Sequence, residues 1–354
     1  MRNRLLILVG LFLFASVAIA EDADLPKPSG EGIVGKKAKL ELLFTRSAKI
    51  EGGLTEGAAV APDGSIYFSD ISTGKDNGLI MRFDPQTKKT TVFAENSHKS
   101  NGLIFAADGS LLACEGADYG GRGVARWNLK TGERKVVADR YEGKRFNAPN
   151  DLCLDSKGRI YFTDPRYLGD EPRELPTRAV YRIDQDGSVH KVTEEVVKPN
   201  GIAISPDDKT LYVADHDNGT DKIDPNAPPP EQGVMKIHSF SLAADGAVSD
   251  HKVLIDFGEK KGCDGMCVDA KGRIYLSIRD SGRPGVMVVN PAGKEVGFIP
   301  TGPANQQQAE AIGLPSNVEF GIGKEINTLY ITVDKSLYRI RLKAKGFHVQ
   351  YEGS

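Results

Sequence analysis

Apolar positions in this chain come in short runs separated by polar turns, and the runs return in a fixed order. The stretches "EGAAVAPDGSIYFSD" from Glu56, "NGLIFAADGSLLACE" from Asn101 and "NDLCLDSKGRIYFTD" from Asn150 share one layout. Each has a polar residue, a short apolar run, a tight turn and a second run rich in aromatic or β-branched residues. "NGIAISPDDKTLYVAD" from Asn200, "DGMCVDAKGRIYLSI" from Asp264 and "NVEFGIGKEINTLYIT" from Asn317 repeat it, the last without the compact glycine turn. Successive starts are 45, 49, 50, 64 and 53 residues apart. Apolar runs this short, bounded by turn residues, predict strands. Further strand pairs fall between copies, such as "GVARWNL" with "RKVVAD" and "AVYRIDQ" with "SVHKVT", joined by turns of hairpin length. Four strands per repeat at this period is the pattern of a propeller blade. The expected fold is all-β: a six-bladed β-propeller with four antiparallel strands per blade, one domain over residues 38–350. "KAKLELLFTR" ahead of the first blade is placed to close the ring against the last one, and "GFHVQYE" at the other end competes for that role.

The ends and the composition narrow the class. "MRNR", the apolar run from Leu5 to Val17 and then Ala18-Ile19-Ala20 predict an export signal over residues 1–20, cut before Glu21. Residues 21–37 then form a lead-in, and the mature protein is expected to be periplasmic or secreted. Loss of Arg2 and Arg4 lowers the basic count from 46 to 44 against 48 acidic residues, without long runs of either sign. That pattern argues against a nucleic-acid surface. No later segment is long and apolar enough to predict membrane insertion after cleavage. Cys114, Cys153, Cys263 and Cys267 are even in number, so an exported protein could pair them. All four lie in apolar strand runs, where free cysteine acts as a small buried hydrophobe.

In a propeller the first strand of each blade runs along the central channel. Copies in register would bring Glu56, Asn101, Asn150, Asn200, Asp264 and Asn317 to one mouth of it. Taken singly, each asparagine also reads as a plain turn former. Taken together, two carboxylates in one small volume repel unless a cation or proton intervenes. A divalent ion with amide oxygens completing the shell resolves this. The all-oxygen set favours a hard cation, Ca²⁺ first, with Zn²⁺, Mg²⁺ or Mn²⁺ compatible. Loops between second and third strands belong to the same end and are the longer ones, such as "GADYGGRG" and "PRYLGDEPRELPTR". A substrate site is expected there. Asp151 starts its strand pointing away from Asn150, either to hold the ligand shell or to meet a second ion deeper down. His216 in "VADHD" reads either as a weak substrate contact or as a surface loop histidine. No G-x-S-x-G segment supports a serine nucleophile.

The pieces "EG" at 56–57, "RFNAPND" at 145–151, "YFTDPRY" at 161–167, "PNG" at 199–201 and "DGMCVD" at 264–269 resemble the regucalcin/gluconolactonase family of six-bladed propellers, which includes the senescence marker protein and the luciferin-regenerating enzyme. The resemblance covers nearly all of the mature chain. It implies that Glu56, Asn200 and Asp264 ligate one divalent cation, and that Asn150 contacts the metal, its water or the substrate. Arg145 resembles a substrate-contacting arginine, but regucalcin-like members have it two residues before the Asn, without the "NAP" insertion, and the longer "RFNAPND" form is similar to a bacterial gluconolactonase branch. Asn147 can therefore share or replace its role, and Tyr167 and Arg166 are further candidate substrate contacts. The function implied is metal-dependent hydrolysis of a sugar-acid lactone such as gluconolactone, with Asp264 taking the proton of the attacking water. Two alternatives stand beside it: a phosphotriesterase- or aryl-esterase-like hydrolase with the same ligands, and a non-catalytic sugar- or ion-binding propeller.

Overall fold

A computed structural model of the chain describes residues 26–46, 54–72, 74–76, 78–221, 231–306 and 311–352. The expected export signal, residues 1–20, lies outside the described residues. Six four-stranded antiparallel sheets stand around a central axis, and helix is limited, among the described residues, to three single 3-10 turns. The inner strands are Thr55–Val60, Ser100–Phe105, Leu152–Leu154, Pro199–Ile204, Cys263–Val268 and Pro315–Phe320, heading blades 1 to 6 in chain order. Each inner strand touches the next, and the sixth touches the first, so the ring is closed. The closing element is Glu41–Thr45, which pairs antiparallel with Ser336–Arg341 as the outermost strand of blade 6. "GFHVQYE" does not compete with it. That segment folds under the channel, and Phe347 and His348 line a cavity there with inner-strand residues Leu154, Ile204, Val268 and Glu319.

The apolar faces of adjacent sheets meet in six separate wedges, one per blade junction. This is why most strands are buried on both faces and read as near-continuous apolar runs. The four cysteines are buried free thiols in the wedges between blades 2 and 3, 3 and 4, 4 and 5, and 5 and 6. Burial pushes each thiol well up from its ordinary pKa, which suits a packing role.

One element was not foreseen in the sequence. Arg140–Tyr141 and Lys144–Arg145 form a two-stranded ribbon ahead of blade 3. Glu142 and Gly143 both have positive φ, 50° and 79°, at its two-residue turn, as type I′ turns require. The ribbon leads into Phe146, which is fully buried with ring centroids 5.0 Å from Phe162 and 5.1 Å from Tyr181. Phe146 thereby anchors the segment that ends at Asn150.

Candidate active site

Every inner strand begins at the same channel mouth, and five of the six have an irregular pairing at that point. Register shifts fall between Glu56 and Ala59, Ser100 and Leu103, Pro199 and Ile202, Cys263 and Met266, and Pro315 and Asn317. A bulge re-aims the side chain beside it. Glycine follows the polar residue in four blades because the neighbouring strand comes too close for a Cβ. At Gly57 (φ +54°) a Cβ would lie 2.0 Å from the Asn101 carbonyl oxygen, and at Gly201 it would lie 2.3 Å from that of Asp264. The polar–glycine dipeptide therefore draws Glu56 beside Asn101 and Asn200 beside Asp264.

Glu56, Asn150, Asn200, Asp264 and Asn317 are buried, and Asn101 is half-buried. Burial raises the pKa of Glu56 well above the ordinary carboxylate value, the facing Asp264 raises it further, and Arg279 offsets part of the rise. Arg279 Nε sits 3.4 Å from Asp264 Oδ2. Asn200 donates its Nδ2–H to the Tyr167 hydroxyl oxygen at 2.9 Å, and Tyr167 donates to the His216 carbonyl at 2.9 Å. Lys198, itself fully buried, holds its ammonium 4.5 Å from the centre of the Tyr167 ring. His216 is buried at the site and is not a surface loop histidine. Its Nδ1 is 3.0 Å from the Cys263 carbonyl oxygen, an N–H donor to that acceptor, which leaves Nε2 as the ring's acceptor atom. Burial lowers its pKa, so the ring is neutral at pH 7.

Beneath this layer Asp151 reaches across the channel. Its Oδ1 accepts the Leu152 N–H at 2.9 Å, and its Oδ2 is 3.4 Å from Asn317 Nδ2. Burial pushes its pKa up to about 7. Asn317 Oδ1 accepts the Val318 N–H at 2.8 Å, so both ends of that amide are engaged.

A cleft opens beside the mouth between Ile71, Ser72, Asn101, Asn150, Tyr167 and Leu168. Two of the residues expected at the substrate, Asn150 and Tyr167, are in its walls; Arg145 and Asn147 are not. Arg145 donates from Nη2 to the Gly121 carbonyl at 2.6 Å and pairs with Asp139 at 3.4 Å. Asn147 is fully buried and donates from Nδ2 to the Thr177 carbonyl at 3.0 Å. Arg145 Nε and Asn147 Oδ1 have no partner among the described residues. Arg166 turns away from the mouth, donating to the Gly169 and Glu171 carbonyls.

The sequence profile of the SMP-30/Gluconolactonase/LRE-like region matches residues 54–335. The chain belongs to the SMP-30/gluconolactonase/LRE-like family. A gluconolactonase of Zymomonas mobilis is 32% identical over 260 residues, 70% of this chain and 64% of that protein. The lactonase drp35 of Staphylococcus epidermidis is 26% identical over 254 residues, covering 69% and 68%. The matched part thus spans just under two thirds of the Zymomonas protein. Among solved structures, a gluconolactonase of Xanthomonas campestris superposes with a TM-score of 0.72 at 27% identity, covering 90% of this chain and 96% of that one. Regucalcin of Agrobacterium tumefaciens, described as a calcium-binding protein, shares the fold at TM-score 0.63 and 18% identity, covering 87% and 95%.

Two features of this family member were missed in the sequence. Arg279 directly follows the second strand of blade 5, Ile274–Ile278, whose last residue is apolar where the aligned strands of blades 1 to 4 carry an acid, and that exception in "IYLSIR" was the available signal. The closing acids themselves, Asp164 and Asp215 among them, stand in the aligned copies of blades 1 to 4, but residue type alone does not tell a backbone clamp from a surface acid.

Proposed function

We propose that this protein is an exported, metal-dependent lactonase acting on a sugar-acid lactone such as gluconolactone. The observation that carries the reading is the burial of Glu56 against Asp264 with a single guanidinium nearby. Two carboxylates so placed are short of positive charge. Among the described residues no three His, Cys, Asp or Glu side chains form a metal cluster, so amide oxygens have to complete the shell. Asn200 has its Nδ2 engaged by Tyr167, and among the described residues neither its Oδ1 nor the Asn150 side chain has a hydrogen-bond partner. Glu56, Asn150, Asn200 and Asp264 would hold the ion, and this donor set suits Ca²⁺. When bound, such an ion supplies Lewis-acid polarisation of the lactone carbonyl.

The chain's own groups supply the rest. Arg279 is paired with Oδ2 of Asp264, so Oδ1 is the oxygen left to take a proton from water. Water adds to the carbonyl carbon, the ring C–O bond breaks as the proton held on Asp264 passes to the leaving ring oxygen, and the hydroxy acid formed ionises at neutral pH. General-base help of this kind is worth about 10²–10⁴-fold. Asn150 and the Tyr167 ring flank the substrate in the cleft. Arg145 Nε and Asn147 Oδ1 are buried outside the cleft walls, so neither meets the substrate in this arrangement. The lactonase relatives support the activity, and residues 1–20 support export; mature protein should begin at Glu21.

The test is acid release from gluconolactone, xylonolactone and a phosphotriester, with and without chelator. Chelator-sensitive lactone hydrolysis that is lost in Asp264→Asn supports the reading. A folded D264N enzyme hydrolysing lactones at the wild-type rate contradicts it, and turnover of the phosphotriester alone moves the protein to the esterase alternative.

A further inference from the structure

Two ligand-bearing strands share a device just ahead of their asparagines. In blade 3 Asp164 closes the strand Ile160–Asp164, and its carboxylate accepts the Asn147 N–H at 2.8 Å and the Ala148 N–H at 2.6 Å, one on each oxygen. In blade 4 Asp215, in Thr210–His216, accepts the Val197 N–H at 3.0 Å and the Lys198 N–H at 2.9 Å, again one on each oxygen. Both carboxylates are fully buried. The clamped pairs stand three and two residues before Asn150 and Asn200, and Pro149 or Pro199 fills the remaining place. Proline donates no hydrogen bond and fixes its own φ. The two N–H groups ahead of it are therefore the last donors before each asparagine, and the carboxylate meets each of them with its own oxygen. Clamped on one side and stiffened on the other, the backbone launches each asparagine from a fixed point.

We propose that Asp164 and Asp215 are positioning residues for the cation site. They set the amide oxygens of Asn150 and Asn200 without touching the ion, an inference that rests on the metal reading above. Blade 6 contains the same clamp with a different output. Asp334 accepts the Gly313 N–H at 2.6 Å and the Leu314 N–H at 3.3 Å ahead of Pro315, but the Asn317 amide of that blade is engaged at both ends. It provides an internal control.

The experiment compares Asp164→Asn, Asp215→Asn and Asp334→Asn in the metal-free mature protein, by thermal melting and by calorimetric titration with Ca²⁺. Asparagine keeps the size but sets an NH₂ against one of the two backbone donors. All three variants should melt lower by similar amounts. The first two should weaken Ca²⁺ binding about 10–100-fold, the usual effect of losing a group that orients a metal ligand, while the third stays within about twofold of wild type. If one variant of the first pair does not fold, the other carries the comparison. Wild-type affinity in D164N and D215N overturns the inference, and so does an equal loss in D334N, which would make the effect general destabilisation. A wild-type protein that binds no Ca²⁺, Mg²⁺, Mn²⁺ or Zn²⁺ removes the metal reading itself, and the inference with it.

Discussion

Single side chains decide how far the mouth is pre-set. The Tyr167 hydroxyl joins Asn200 to the His216 backbone in one relay. In Tyr167→Phe the Asn200 Nδ2–H loses its partner, while the His216 carbonyl keeps the Asn218 N–H at 3.2 Å, so the cost is about 1–3 kcal/mol for the one group left buried and unpaired. Denaturant unfolding should show that loss, and kcat should fall more than KM rises, because the freed amide can rotate its nitrogen toward the ion. The leading residues were legible because each is a polar residue standing immediately before an apolar run, and channel geometry gives such residues one destination. His216 was ambiguous because its burial comes from pairing, not composition: Thr210–His216 runs far enough to set His216 opposite Met235. Asp151 was expected on the far side of its strand, and its reach to Asn317 on the opposite blade has no local signature at all.

At the level of elements, the long loops of blades 3 and 4 are tied together over the mouth. Arg166, Arg173 and Arg178 all converge on Asp221, at 3.4 Å for Arg166 and 3.2 Å for Arg178. Removing the shared acid leaves several guanidinium groups buried without their counter-charge, which typically costs about 3–5 kcal/mol. Asp221→Ala should therefore speed amide exchange through residues 165–178 while the outer strands of the other blades keep wild-type protection. Equal deprotection of all blades would show that Asp221 supports the whole ring and not the loop pair. The length of these loops was readable from the sequence. Their ion pairs were not, since the partners are dozens of residues apart and nothing in the spacing couples them. The ribbon ending at Arg145 escaped for a simpler reason: two-residue strands carry no periodicity, and only the positive-φ pair Glu142-Gly143 marks it.

The whole molecule is a ring without a central core, held by six wedges and by Glu41–Thr45 across the seam. The repeats made the blade number legible but left the seam open between the two ends of the chain; the floor of the channel was not legible, because the C-terminal segment has no counterpart in any repeat. On that floor burial pushes Glu319 up to about 8 and His348 down to about 4. Glu319 therefore contributes stability that is complete below its ordinary value near 4.5 and drains as pH rises toward 8. His348 acts oppositely, its contribution complete above its ordinary value near 6.5 and lost as pH falls toward 4. The two oppose each other between those ordinary values, and above pH 6.5 His348 drops out, leaving Glu319 to act together with the raised carboxyls Glu56 and Asp151. Metal-free protein should melt progressively lower from pH 6.5 to 8, with Glu319 contributing up to about 1.4 kcal/mol per pH unit, and Glu319→Gln should reduce that slope. A slope unchanged in E319Q would remove Glu319 as its source.

Residues 56 and 264, far apart in the chain, are proposed to share one divalent ion. Calorimetric titration of metal-free wild type, Glu56→Gln and Asp264→Asn with Ca²⁺ tests it most directly. Wild type should bind one ion at this site and both variants should lose it. Metal-free E56Q should melt no lower than wild type, since it no longer buries a carboxylate beside another. Wild-type stoichiometry and affinity in either variant would contradict the account.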